Sequence, residues 1–82
     1  MEKKDSILRA ILAKVGKLPE PHDHPTQSGV IADDTQLPLN CVLALSRELS
    51  EEGLVAISSL SDPPLLYLTK TGVARARRYD RA

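Results

Sequence analysis

Val30-Ile31-Ala32-Asp33-Asp34-Thr35-Gln36-Leu37-Pro38-Leu39-Asn40-Cys41-Val42 is the stretch on which the fold turns. It reads as the end of one helix, a short break, and the start of another. A short helix is expected over 27–34, with Thr26 as its N-cap and Val30 and Ile31 as its buried residues. Gly29 weakens that helix by about 1 kcal/mol relative to Ala, so it depends on tertiary support. Thr35-Gln36-Leu37 breaks it. Pro38 then suits the first turn of a helix expected over 38–52, because an N–H at that position has no intrahelical acceptor. Gly53 is expected to close this helix as its C-cap.

Downstream, 54–60 and 65–69 are two apolar, β-branched runs separated by Ser61-Asp62-Pro63-Pro64. They predict a β-hairpin over 54–69 with a four-residue connection. Thr69 can cap a last helix over 70–80, basic on its outer face. Upstream, Ile7, Leu8, Ile11, Leu12 and Val15 form one stripe at helical spacing, which predicts a helix over 3–15 stopped by Gly16. Residues 17–25 hold three prolines and predict an extended loop. The whole, residues 1–82, reads as one domain of the α+β class: mainly α, with a small β-hairpin.

Two helices joined by a tight turn and followed at once by a hairpin follow the winged helix-turn-helix plan. Three segments carry the likeness. Ile31 to Asn40 resembles the winged-helix segment that reads Ile-Ala, an acidic pair, a turn and Leu-Pro. Leu49-Ser50-Glu51-Glu52-Gly53-Leu54-Val55 resembles the end of the recognition helix and the start of the wing. Leu68-Thr69-Lys70-Thr71-Gly72, with Ala76 behind it, resembles the Leu-Thr-x-x-Gly that follows the wing. The chain is thus similar to small bacterial and archaeal winged-helix transcriptional regulators. The resemblance implies double-stranded DNA as partner, a homodimer, and a recognition helix over 38–52. The Pro-rich loop is longer than the family usually has between its first two helices.

On the recognition helix, Pro38, Val42, Leu45 and Leu49 fall on one side and are expected to face the core. The other side presents Asn40, Leu43, Ala44 and Arg47. Asn40 suits adenine, Arg47 suits guanine or a phosphate, and Leu43 or Ala44 suits a thymine methyl. Lys70, Arg75, Arg77, Arg78 and Arg81 near the C-terminus, with Lys3, Lys4, Arg9 and Lys14 near the start, are the available phosphate clamps. The hairpin has no basic residue between Ala56 and Thr69, so a grip on DNA through the wing is not expected. Leu39 and Leu43, four residues apart, support an alternative reading as a protein-interaction or assembly module with a protein partner instead of DNA.

Charge separates along the chain. Eleven Lys and Arg balance eleven Asp and Glu, for a formal net charge of zero. The basic residues Lys3, Lys4, Arg9, Lys14 and Lys17 against Glu2 and Asp5 leave residues 1–17 at +3. Arg47 alone against eight acids leaves residues 18–69 at −7. Residues 70–82 stand at +4. The recognition helix and hairpin lie within the acidic block, so DNA affinity must be drawn chiefly from the basic ends.

Other chemistry finds little support. Cys41 is the single cysteine, expected to be half-buried and structural, and it cannot form an internal disulfide. His22-Asp23-His24 offers two imidazoles in a Pro-rich loop, too few for a metal site. No serine or cysteine has a base at a telling spacing and there is no Gly-rich phosphate loop, so neither an enzyme nor a cofactor is expected. Apolar runs fall short of the roughly 20 residues of a membrane span, and no signal-peptide pattern follows Met1. A cytoplasmic location is expected.

Overall fold

The computed structural model of the chain describes residues 3–80, with the side chain of Asp80 outside the description. Arg81, grouped above with the basic end, also lies outside the described residues. In chain order the elements are α1 (Lys3–Val15), a single 3-10 turn (Pro21–Asp23), β1 (Thr26–Gln27), α2 (Ser28–Thr35), α3 (Leu39–Glu51), β2 (Val55–Ser58), β3 (Leu65–Leu68) and α4 (Lys70–Asp80). The three strands form one antiparallel sheet in the order β1-β3-β2. The fold is α+β and winged-helix-like, mainly helical with a small β wing.

The predicted stripe of α1 is its buried face: Ile7, Leu8, Ile11, Leu12 and Val15 are all inside. They meet Ile31 of α2, Val42 and Leu49 of α3, Leu54, Val55, Leu66 and Leu68 of the hairpin region, and Val73 and Ala76 of α4. With no Phe or Trp in the sequence, this core is wholly aliphatic. α4 lies along α1 and touches β3, whereas α3 packs on α1, α2 and β2.

Three local expectations need correction. Thr26 is a buried strand residue opposite Leu66, not a helix cap; α2 begins at Ser28 without a side-chain cap. Pairing with β3 engages the backbone of Thr26 and Gln27, and a two-residue strand leaves no periodicity in sequence. Pro38 is the residue before α3, at φ −58° and ψ 147°, and its carbonyl accepts the Cys41 and Val42 N–H groups, both at 3.0 Å. The buried face of α3 is Val42, Ser46 and Leu49, with Leu45 half-buried and Pro38 exposed. The inward stripe is therefore rotated toward Ser46, a residue too polar to be ranked as core.

The ends of α2 and α3 are closed by the same device. At α3, Gly53 adopts φ 78°, its N–H donates to Ser50 O (3.0 Å), and the Leu54 N–H reaches Leu49 O (2.9 Å). This is a Schellman closure with glycine in the left-handed position. At α2 the left-handed residue is Gln36, at φ 58°; its N–H reaches Asp33 O (3.4 Å) and the Leu37 N–H reaches Ala32 O (3.2 Å). A non-glycine residue there costs about 1–2 kcal/mol.

The Leu-Thr-x-x-Gly segment joins the last helix to the end of α3. Thr69 Oγ1 donates to Gly53 O at 2.6 Å and accepts the Gly72 N–H at 2.9 Å, so one hydroxyl caps α4 and anchors it. The Thr69 N–H also reaches Leu54 O at 3.1 Å. Gly72 is buried against the same residue: a Cβ built there would stand 1.9 Å from Leu54 O. Glycine is needed because the helix backbone touches the chain beneath it.

Candidate nucleic-acid interface

The exposed side of α3 carries Leu39, Asn40, Ala44 and Arg47, with Leu43 half-buried beside them. Asn40, Leu43, Ala44 and Arg47 are the residues the sequence assigns to base reading, and Leu39 with Leu43 the pair it assigns to a protein partner; all five lie on the first three turns of one helix. That stretch contains no carboxylate. The three acids of this segment, Glu48, Glu51 and Glu52, come later, at its C-terminal end.

Two of those acids are partly neutralised from elsewhere. Lys4 of α1 sits 3.0 Å from Glu52 Oε2 and 3.4 Å from Glu48 Oε1. The hydrogen bond to Glu52 is the largest cause holding the Lys4 ammonium above its ordinary pKa, ahead of a smaller opposing cost of desolvation. Lys4 is thus committed to α3, and Lys14 to Asp34 of α2 at 3.0 Å. Both were counted as clamps in sequence; in the fold they offset the acidic block. As exposed pairs they contribute little stability, but they change the local field that an approaching phosphate meets. No short-range pattern could have shown the Lys4 pairs, because their partners lie far along the chain.

The α4 cations divide by position. Lys70 follows Thr69, whose hydroxyl is bonded to Gly53, and so stands beside the C-terminal end of α3. Arg75 is half-buried, while Arg77 and Arg78 are exposed. Arg77 lies against the C-terminal end of α1, where it lines a cleft with Leu12, Ala13, Gly16 and Lys17. α1 is the element that α3 and α4 share. Arg77 therefore makes a basic edge with Lys17 at the end of α1.

The hairpin pairs Val55 with Leu68, Ala56 with Tyr67, Ile57 with Leu66 and Ser58 with Leu65. Val55, Leu66 and Leu68 point inward and are buried. Its tip bears Leu60, Ser61, Asp62 and Pro63, all exposed. The two histidines have local partners: His22 Nε2 lies 3.6 Å from Asp23 Oδ1, and His24 Nε2 lies 3.0 Å from Pro19 O. Among the described residues no group of three or more His, Cys, Asp or Glu is placed to hold a metal ion. Cys41 is half-buried. No helix among the described residues is long and apolar enough to cross a membrane.

No family model and no curated protein matches this chain. A crystal structure of a protein from Ralstonia eutropha JMP134, named there as a candidate DNA-binding protein, superposes with a TM-score of 0.73. The two chains are 24% identical, and the match covers 96% of each. At that identity the likeness establishes a shared fold along nearly the whole length of both proteins.

Proposed function

We propose that this chain is a winged-helix DNA-binding regulator, with α3 entering the major groove of duplex DNA. Asn40, Leu43, Ala44 and Arg47 would face the bases, and Lys70 would hold a phosphate where α3 leaves the groove. The observation that carries this reading is the acid-free N-terminal half of α3, with Glu48 and Glu52 drawn to Lys4 at the opposite end. Helices of this type insert their N-terminal residues, so the carboxylates would stay outside the groove. The name given to the Ralstonia protein of the same fold supports the same class of ligand. A homodimer would present two copies of α3 and double the contacts. No catalytic step belongs to this reading.

Salt dependence provides the test, because each phosphate contact contributes about −0.9 to the slope of log K against log salt. Lys70 alone gives a slope of about −0.9 per copy, and Arg47 brings it to about −1.8 where it meets a phosphate instead of a guanine. If Arg77 and Arg78 also reach phosphates, the slope steepens to about −3.6. Fluorescence anisotropy against a random duplex from about 50 to 200 mM salt measures it. Absence of binding at the low-salt end refutes the DNA reading and leaves the protein-interaction module in its place.

A further inference from the structure

Two surface features away from α3 complement each other. The first is the tip of the β2–β3 hairpin. Leu60 is 97% exposed, and Asp62, two residues on, is exposed beside it. An aliphatic side chain held wholly in water gains on burial by roughly 10- to 100-fold in an association constant.

The second is the cleft where α4 crosses the end of α1. Leu12, Ala13 and Gly16 line it together with the exposed cations Lys17 and Arg77. Its volume is about 280 Å³. The cleft is open to solvent, and its space is enough to receive one aliphatic side chain from outside. The occupant this cleft favours combines an aliphatic group with a carboxylate, the pair that the hairpin tip presents. Because Leu60 is almost fully exposed in its own chain, a chain's tip does not fill its own cleft.

We propose that the hairpin tip of one copy docks in the α1–α4 cleft of a second copy, with Leu60 against Leu12 and Ala13 and Asp62 between Lys17 and Arg77. The contact is heterologous: each copy offers a tip and a cleft, so a pair retains one of each and can add further copies. A chain of zero net charge meets no overall repulsion in doing so. The contact is small, which makes the association weak and sensitive to salt. It does not depend on DNA.

Sedimentation velocity on the full chain, at low and moderate salt and up to about 1 mM protein, tests this. The wild type should form species larger than a dimer as concentration rises. A tip variant, Leu60→Ser with Asp62→Ser, and a cleft variant, Lys17→Glu with Arg77→Glu, should each lose association by about tenfold or more. All four positions are exposed, so both variants should keep the wild-type circular dichroism spectrum. An equal mixture of the two variants is decisive: the intact cleft of one meets the intact tip of the other, and pairs form that cannot grow beyond dimers. A monomeric wild type, association indifferent to either variant, or a mixture that stays monomeric overturns the proposal.

Discussion

Replacing Gly72 by Ala should destabilise this protein, although an alanine inside a helix is normally an improvement. In an unconstrained helix the change is worth about 1 kcal/mol in favour of Ala. Here the new Cβ would stand 1.9 Å from Leu54 O and 2.9 Å from Leu54 C. Real Cβ contacts essentially never fall below 3.0 Å, so α4 must withdraw by more than an ångström from a backbone carbonyl that cannot rotate away as a side chain would. The hydrogen bonds that fix the start of α4, Thr69 Oγ1 to Gly53 O at 2.6 Å and Thr69 N to Leu54 O at 3.1 Å, lie at the same place and are stretched by that movement. Losing both costs about 2 kcal/mol, and overpacking adds about 1–3 kcal/mol. After the propensity gain, the net loss is about 2–4 kcal/mol. For a domain of this size that lowers Tm by on the order of 10–30 °C. The internal control is Gly29→Ala in α2, where the added Cβ meets nothing within 4 Å; it should raise stability by about 0.5–1 kcal/mol. Thermal and urea unfolding followed by circular dichroism measures both. A Gly72→Ala protein as stable as wild type, or more so, would show that α4 does not rest on Leu54 as described.

Gln36→Gly should stabilise by about 0.5–1 kcal/mol, because glycine relieves the left-handed conformation after α2 at some cost in unfolded-state entropy; a drop in the urea midpoint would contradict this. Ser46 is fully buried and its hydroxyl has no partner among the described residues, so Ser46→Ala should be stabilising by about 1 kcal/mol in the same assay. The raised pKa of Lys4 sets a direction with pH. The Lys4 pairs contribute fully at neutral pH and up to its ordinary value of 10.5 and are lost as pH rises through the higher folded-state value, so the Tm difference between wild type and Lys4→Gln should persist at neutral pH and fade in strongly alkaline solution. Arg47→Ala should weaken binding to a preferred DNA site by about 1–3 kcal/mol, and the Arg77→Ala, Arg78→Ala double variant should flatten the salt slope only if α4 reaches phosphates.

Much of the architecture was legible because it rests on local rules. The stripe from Ile7 to Val15, the left-handed Gly53 and the Thr69 cap each depend on a few neighbouring residues, and each stands where the spacing puts it. The exposed set Asn40, Ala44 and Arg47 follows from helical period alone. β1 was not legible, since a two-residue strand exists only through its partner β3. Nor was the inward turn of Ser46, which reflects how α3 is rotated on α1 and α2 rather than any preference of serine.

The charge pattern marks the same division. Sequence alone determined that two basic ends flank an acidic middle, since that is a matter of counting. Only the tertiary structure decided where those charges act. It set Lys4 against Glu48 and Glu52, Lys14 against Asp34, Lys70 beside the end of α3, and Arg77 at a cleft with Lys17 on another flank. Coulombic interactions fall off with distance through space and are screened by salt over about 10 Å, so separation along the chain says little about which charges meet. Packing of the aliphatic core brought them together.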